Sequence, residues 1–188
     1  RILSYGISKR MKNLRDLEIN DLKKLLEEMG EKPFRAKQIY TWLHQNLVEH
    51  YDEMTNISKG LRDRLSAEYS VALPETVEVL TSKIDGTKKF IFRMQDGHVI
   101  ESVWMEYQHG HSVCISSQVG CRMGCKFCAS TLDGLARNLT SGEMLGQIYQ
   151  IQRTTGARVD NIVIMGSGEP LDNYDEFTRF IRMISDEN

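Results

Sequence analysis

The sequence predicts an α/β fold preceded by a small helical domain and an antiparallel β meander, and three successive hydrophobic patterns predict it. Apolar residues recur at helical spacing to about residue 73 and alternate with period two through 74–110. Over 111–188 they gather into short strand-like runs separated by a helical stretch, the grammar of an α/β domain. These stretches are read as a helical accessory domain (1–73), a meander (74–110) and the start of the α/β domain (111–188).

In the first stretch, Leu14, Leu17, Leu22, Leu25, Leu26 and Met29 share helical spacing, and Gly30 supplies a C-terminal stop. Pro33 opens a second helix whose face carries Ile39, Trp42, Leu43 and Leu47. Ser58 caps a third, with Leu61, Leu65 and Tyr69 a turn apart. After Pro74, Val77 and Val79 alternate with polar neighbours, Asp85-Gly86 turns the chain, and Phe90 and Phe92 alternate on the return. Asp96-Gly97 makes a second turn before Val99, Glu101, Val103 and Met105 at alternate positions. The run from Val113 to Ser117 reads as a strand, and Thr140 to Glu143 as a capping box opening the helix of Leu145, Ile148 and Gln152. Ile162 to Met165 is wholly apolar, as in a strand buried within a parallel sheet, and a further helix begins near Tyr174. Strand, helix, strand, helix implies right-handed βαβ units.

Hydrophobic residues make up 40% and charged residues 27% of the 188, ordinary for a soluble globular protein. A net charge of -2 and a pI near 6.2 argue weakly against a nucleic-acid binder, which usually carries a basic surplus. No apolar run is long enough to span a bilayer and no signal-peptide pattern is present, so a cytoplasmic protein is expected. There, four cysteines serve metal binding or catalysis in preference to disulfides. The chain begins at Arg1 and ends at Asn188 within a helical pattern, and is read as a piece lacking at least a C-terminal part.

Cys121, Cys125 and Cys128 form C-x-x-x-C-x-x-C, with Phe127 before the last. Three thiolates on one short loop can hold three irons of a four-iron four-sulfur (4Fe-4S) cluster and leave the fourth iron open to a small molecule. Gly120 and Gly124 let such a loop curl. Zinc is the alternative, with Cys114, His109 or His111 as a fourth ligand, although structural zinc sites favour paired C-x-x-C units and no second pair is present. Gly166-Ser167-Gly168-Glu169-Pro170 follows the apolar run, where α/β folds place ligand loops; its carboxylate can accept hydrogen bonds from an ammonium group.

The cysteine spacing resembles the signature of the radical S-adenosylmethionine superfamily, and Gly168-Glu169-Pro170 its G-G-E-P-type element, with Ser167 in place of the first glycine. The whole segment from Ser112 to Ser130, Arg137 to Thr140, Gly146 to Ile148, Phe34 to Ile39 and Lys83 to Lys88 are similar to the RlmN-type dual-specificity RNA methyltransferases. The resemblance implies the start of a partial (β/α)6 radical S-adenosylmethionine barrel. It also implies a 4Fe-4S cluster on Cys121, Cys125 and Cys128, and S-adenosyl-L-methionine with its amine held at Gly168 and Glu169.

The activity so implied is methylation of carbon 2 of an adenine in 23S rRNA, and in tRNA, through a methylated cysteine. That cysteine is expected beyond Asn188, and an electron donor such as flavodoxin or ferredoxin is a further partner. In this scheme Glu101 accepts the ring proton and Cys114 forms a transient disulfide with the methyl-carrying cysteine; neither role is legible from the residues alone. The helical stretch reads as an RNA-docking accessory domain, and no membrane partner is expected. Two alternatives stand: the resistance-type relative that methylates carbon 8 of the same adenine, and a non-catalytic zinc-binding RNA module.

Overall fold

The computed structural model describes residues 11–186. A short parallel pair, β1 (Lys12–Asn13) and β2 (Tyr69–Ser70), closes the helical stretch on itself. Between them lie α1 (Ile19–Glu28), α2 (Phe34–His44) and α3 (Lys59–Ser66). Leu14 and Leu17 fall outside the first helix, because Leu14–Asp16 forms a separate 3-10 turn capped by the Asn13 side chain. Gly30 carries φ +76 just past α1, and the Ser58 hydroxyl accepts from the Leu61 N–H to start α3, as their local sequences predict.

Five strands make the main sheet: β3 (Glu75–Thr81), β4 (Lys88–Arg93), β5 (Val99–Tyr107), β6 (Gly110–Cys114) and, after an excursion, β9 (Asn161–Val163). The first four are antiparallel neighbours, and β9 runs parallel beside β6. The excursion comprises a hairpin, β7 (Gln118–Gly120) with β8 (Leu135–Asn138), and α4 (Ser141–Thr155); α5 (Tyr174–Ile184) follows β9. Thr140 and Glu143 form the reciprocal capping box of α4, and Gly156 at φ +69 ends it. The result is a mixed α/β fold with two strand–helix units, β6–α4 and β9–α5.

Two strand readings are corrected, and on a third strand, β5, the structure decides which face is covered. Val77 is exposed at a bulge in β3, so it does not share a buried face with Val79. On β5 the buried residues are Ile100, Ser102 and Trp104, which leaves Val99, Glu101, Val103 and Met105 on the opposite, open face. The apolar run after Asn161 is not enclosed on both faces: among the described residues β9 pairs with β6 alone, and Val163 and Met165 are exposed. Ile162 and Ile164 pack against the core, while Met165 lines a cleft.

The three sequence stretches share one hydrophobic core, running from Leu22 and Ile39 through Phe90 and Trp104 to Leu145 and Phe180. Their junction is polar. Buried Arg15 donates to the carbonyls of Val48 and Val71, and Asp16 accepts from Gly142 N at 3.1 Å in the first turn of α4. No helix of the described residues is long and apolar enough to cross a membrane.

Candidate active site

The open face of the sheet forms one wall of a cleft of about 820 Å³. Lys89, Glu101 and Val103 contribute from the meander, Cys114 from the end of β6, Cys128 to Ser130 from the cysteine loop, and Met165 to Ser167 from the loop after β9. Glu101, Cys114 and Cys128, separated along the chain, thus line one cavity. Lys89 sits diagonally across from Glu101 on adjacent strands, and its ammonium lies 2.9 Å from the carboxylate. The Cys114 thiol is half-buried, and burial pushes its pKa up.

Residues 121–134 project from the β7–β8 hairpin, a pairing that its Gly- and Cys-rich sequence does not advertise. Gly120 adopts φ +73 at its base, where a Cβ would run into the Gly134 carbonyl oxygen that accepts from Cys121 N at 3.0 Å. Inside the loop, Cys128 N donates to Cys125 O at 3.1 Å, and the Thr131 hydroxyl donates to Cys128 O at 2.8 Å. All four cysteines are free thiols, so Cys114 has no disulfide partner among the described residues. Cys121 is buried, Cys128 half-buried and Cys125 exposed.

Three free sulfurs on eight residues fit a three-thiolate cluster site in donor number and chemistry, with open space beside Gly124. Among the described residues, no three His, Cys, Asp or Glu side chains already converge as a metal-holding group, so a loop that held one would close around it. His111 stacks on Trp104 at 5.2 Å and His109 on Tyr107 at 5.1 Å, at the opposite end of β6 from Cys114.

The loop after β9 packs directly against the segment entering the hairpin. Ser117 N donates to Ser167 O at 2.9 Å, and Ser167 N to the Ser116 hydroxyl at 2.9 Å. Gly168 has φ +103, and a Cβ there would stand 2.6 Å from Gln118 Cβ. Its smallness therefore serves close approach of the two segments within the protein. Glu169 caps the turn of Pro170–Asn173, its carboxylate accepting from Leu171 N at 3.1 Å.

Three buried amides hold this arrangement, and sequence reasoning assigned none of them. Gln118 accepts from Glu169 N at 2.8 Å and donates to Asn138 and Asp172 at 2.8 and 2.9 Å. Gln147, from α4, accepts from Ser102 Oγ and Ser116 N and donates to Ser116 O at 3.0 Å. The Ser116 hydroxyl in turn donates to Glu101 O at 2.7 Å, which ties the α4 amide to the Glu101 backbone. Asn173 donates to Ser117 O and Leu139 O. The available signal was weak: a lone Gln within the quoted Ser112–Ser130 segment, and another mid-helix.

The second meander turn is anchored to the same region. Arg137 of β8 contacts Asp96 at 2.5 Å and Glu143 at 2.8 Å. Burial alone pushes the Asp96 carboxyl up, but Arg137 and the His98 N–H outweigh it and hold it below the usual carboxylate range. A depressed native pKa contributes stability above the unfolded value, about 3.9, and that stability is lost as pH falls through the native one. The unfolding midpoint is therefore expected to drop as pH is lowered below about 4, and Asp96→Asn to flatten that slope. Equal acid sensitivity in a urea titration of both proteins would remove Asp96 from this account.

Residues 12–71 match the family described as "Ribosomal RNA large subunit methyltransferase N-terminal domain". The chain is 60% identical over 173 residues to "Probable dual-specificity RNA methyltransferase RlmN" of Lachnoclostridium phytofermentans, 92% of this chain and 49% of that protein. With the protein of the same name from Lachnospira eligens, identity is 52% over 177 residues, 94% of this chain and 51% of the relative. A crystal structure of a radical SAM methyltransferase from Sphaerobacter thermophilus superposes with a TM-score of 0.86 at 39% identity, covering 94% of this chain and 52% of that one. The chain spans about half the length of the curated relatives it matches. With identity carried over nearly its whole length and the fold in agreement, the chain belongs to the RlmN family.

Proposed function

We propose that this chain contributes the cluster and S-adenosyl-L-methionine sites of an enzyme that methylates carbon 2 of an adenine in 23S rRNA, and in tRNA. The observation that carries the reading is the single cleft shared by Glu101, Cys114 and the cysteine loop. Cys121, Cys125 and Cys128 would hold the 4Fe-4S cluster, and Gly168 and Glu169 would lie at the methionine amine. When bound, cluster and S-adenosyl-L-methionine supply the one-electron chemistry that polar methyl transfer to an electron-poor ring carbon lacks, with the electron drawn from flavodoxin or ferredoxin.

The chain's own residues do the rest. Lys89 pairs with Glu101, whose carboxylate would take the ring proton, and the Ser116 bond to the Glu101 carbonyl holds that backbone at the cleft wall. Cys114 rests as a thiol, since burial raises its pKa. Its attack on the sulfur that links the transferred carbon to the base would form an S–S bond as that S–C bond breaks, releasing the methylated base. The attack requires loss of the thiol proton. Apolar walls such as Val103 and Met165 reduce water at the reacting atoms.

Two measurements test the proposal. The chain prepared without oxygen should be brown, with iron and sulfide in matching amounts; a colourless, zinc-loaded protein would make it a binding module instead. The intact protein, given reductant, S-adenosyl-L-methionine and 23S rRNA, should yield 2-methyladenine on nucleoside chromatography. Methylation at carbon 8, or none, would overturn the assigned reaction.

A further inference from the structure

Both polar atoms of the Gln118 side chain are engaged. Its carbonyl oxygen accepts from the Glu169 backbone N–H, and its two amide hydrogens go to Asn138 on β8 and Asp172 beyond Pro170. The side chain is buried without solvent exposure, so each of these bonds is costly to leave unmade. One residue therefore bridges both strands of the hairpin that carries the cysteine loop and the loop that follows β9. The backbones reinforce it: Gln118 N also donates to Ser167 O at 3.2 Å, and the absent Cβ of Gly168 leaves the room that Gln118 Cβ occupies.

A second tie crosses the same gap. Arg122, next to Cys121, donates through Nε to Asp172 at 3.1 Å and pairs with the same oxygen through Nη2. Asp172 thus accepts from the residue two before Gly120 and from the residue after Cys121, one residue on each flank of the loop's first turn. Among the described residues, both contacts are side-chain bridges between segments roughly fifty positions apart, and neither belongs to a strand ladder.

Resting on the cluster reading above, we infer that Gln118, assisted by Arg122, is a positioning residue. It makes the cysteine loop and the Gly166–Pro170 loop move as one body, so that closure around a cluster also orders Gly168 and Glu169. A loop that closes on its metal can pass that ordering through a contiguous chain of hydrogen bonds, and here the connection is a buried three-bonded amide and a charge pair. A glutamine suits the place because it offers one acceptor and two donors. Glutamate would lose both donors and set its charge against Asp172, and leucine would leave Glu169 N, Asn138 and Asp172 with unmade bonds.

The test is amide hydrogen exchange by mass spectrometry on the 188-residue chain, with and without reconstitution by ferrous iron and sulfide under argon. In the unsubstituted chain, iron uptake should slow exchange in peptides covering residues 166–172 by roughly tenfold or more, the scale of burying one or two hydrogen bonds. In Gln118→Leu, iron and sulfide content should persist while that slowing is lost. Because Gln118→Leu disturbs a buried site, peptides of α4 serve as the folding control, and Arg122→Ala, at an exposed position, should lose part of the effect on its own. Iron uptake with no slowing at 166–172 in the unsubstituted chain, or equal slowing in both variants, would overturn the coupling alone. Failure of the unsubstituted chain to take up iron would instead overturn the cluster reading, and the coupling with it.

Discussion

Alanine at Cys125 is expected to leave the chain colourless under conditions where the unsubstituted chain takes up iron and sulfide, while Cys114→Ala stays brown. The contrast is informative because both thiols are free. Cys125 belongs to a set of three on one loop, whereas Cys114 stands at the end of β6 with backbone bonds to β5 and β9 that hold it in the sheet. Removing one of three thiolates leaves two irons with protein ligands, too few to retain a cluster that already has one open corner. Cys125 is exposed, so its loss costs little packing, and a folded but colourless variant is the expected product. Iron retained by Cys125→Ala, or lost from Cys114→Ala, would place the cluster on a different set of thiols.

Gly120→Ala should cost about 3 kcal/mol or more, against about 1 kcal/mol for Gly86→Ala, measured as the shift in denaturation free energy. The two glycines share nearly the same backbone, φ +73 and φ +75, so the left-handed strain of an L side chain is common to both. Their surroundings differ. Nothing lies within 4 Å of a Cβ at Gly86, whereas at Gly120 it would strike the backbone carbonyl of Gly134. That carbonyl is the acceptor for Cys121 N, so relief of the clash opens the base of the cysteine loop. The excess over Gly86→Ala is the cost of that opening, and iron uptake should fall with it. Equal losses for the two variants would mean that the hairpin base yields freely and does not brace the loop.

Local chemistry was well read from the residues. The caps at Ser58 and Thr140, the stop at Gly30, and the Asp-Gly turns of the meander involve partners within a few positions, and these formed where the patterns put them. The strand faces were less legible. Alternation on β5 showed two faces but not which one is covered, since Val99 and Val103 are as apolar as the buried Ile100. A burial preference of this size is decided by what packs on the sheet, and α4 covers the Ser102 side with Gln147. The same ambiguity holds for Ile162 to Met165, where Ile162 and Ile164 pack on the core while Met165 lines the cleft.

Of the candidate site, the sequence by itself determined the loop of three thiols, its glycines and the Gly166–Pro170 turn, because spacing along a covalent chain constrains what a short loop can hold. Only the tertiary structure decided that Glu101 and Cys114 line the same cavity as that loop, and that Gln118, Gln147 and Asn173 lie buried at its supports. A lone amide in a sequence reads as a surface residue, since burying one without partners is unfavourable. It becomes a structural node only when donors and acceptors from distant segments converge on it, as Glu169, Asn138 and Asp172 do on Gln118. That convergence is a property of the folded chain, and no local pattern encodes it.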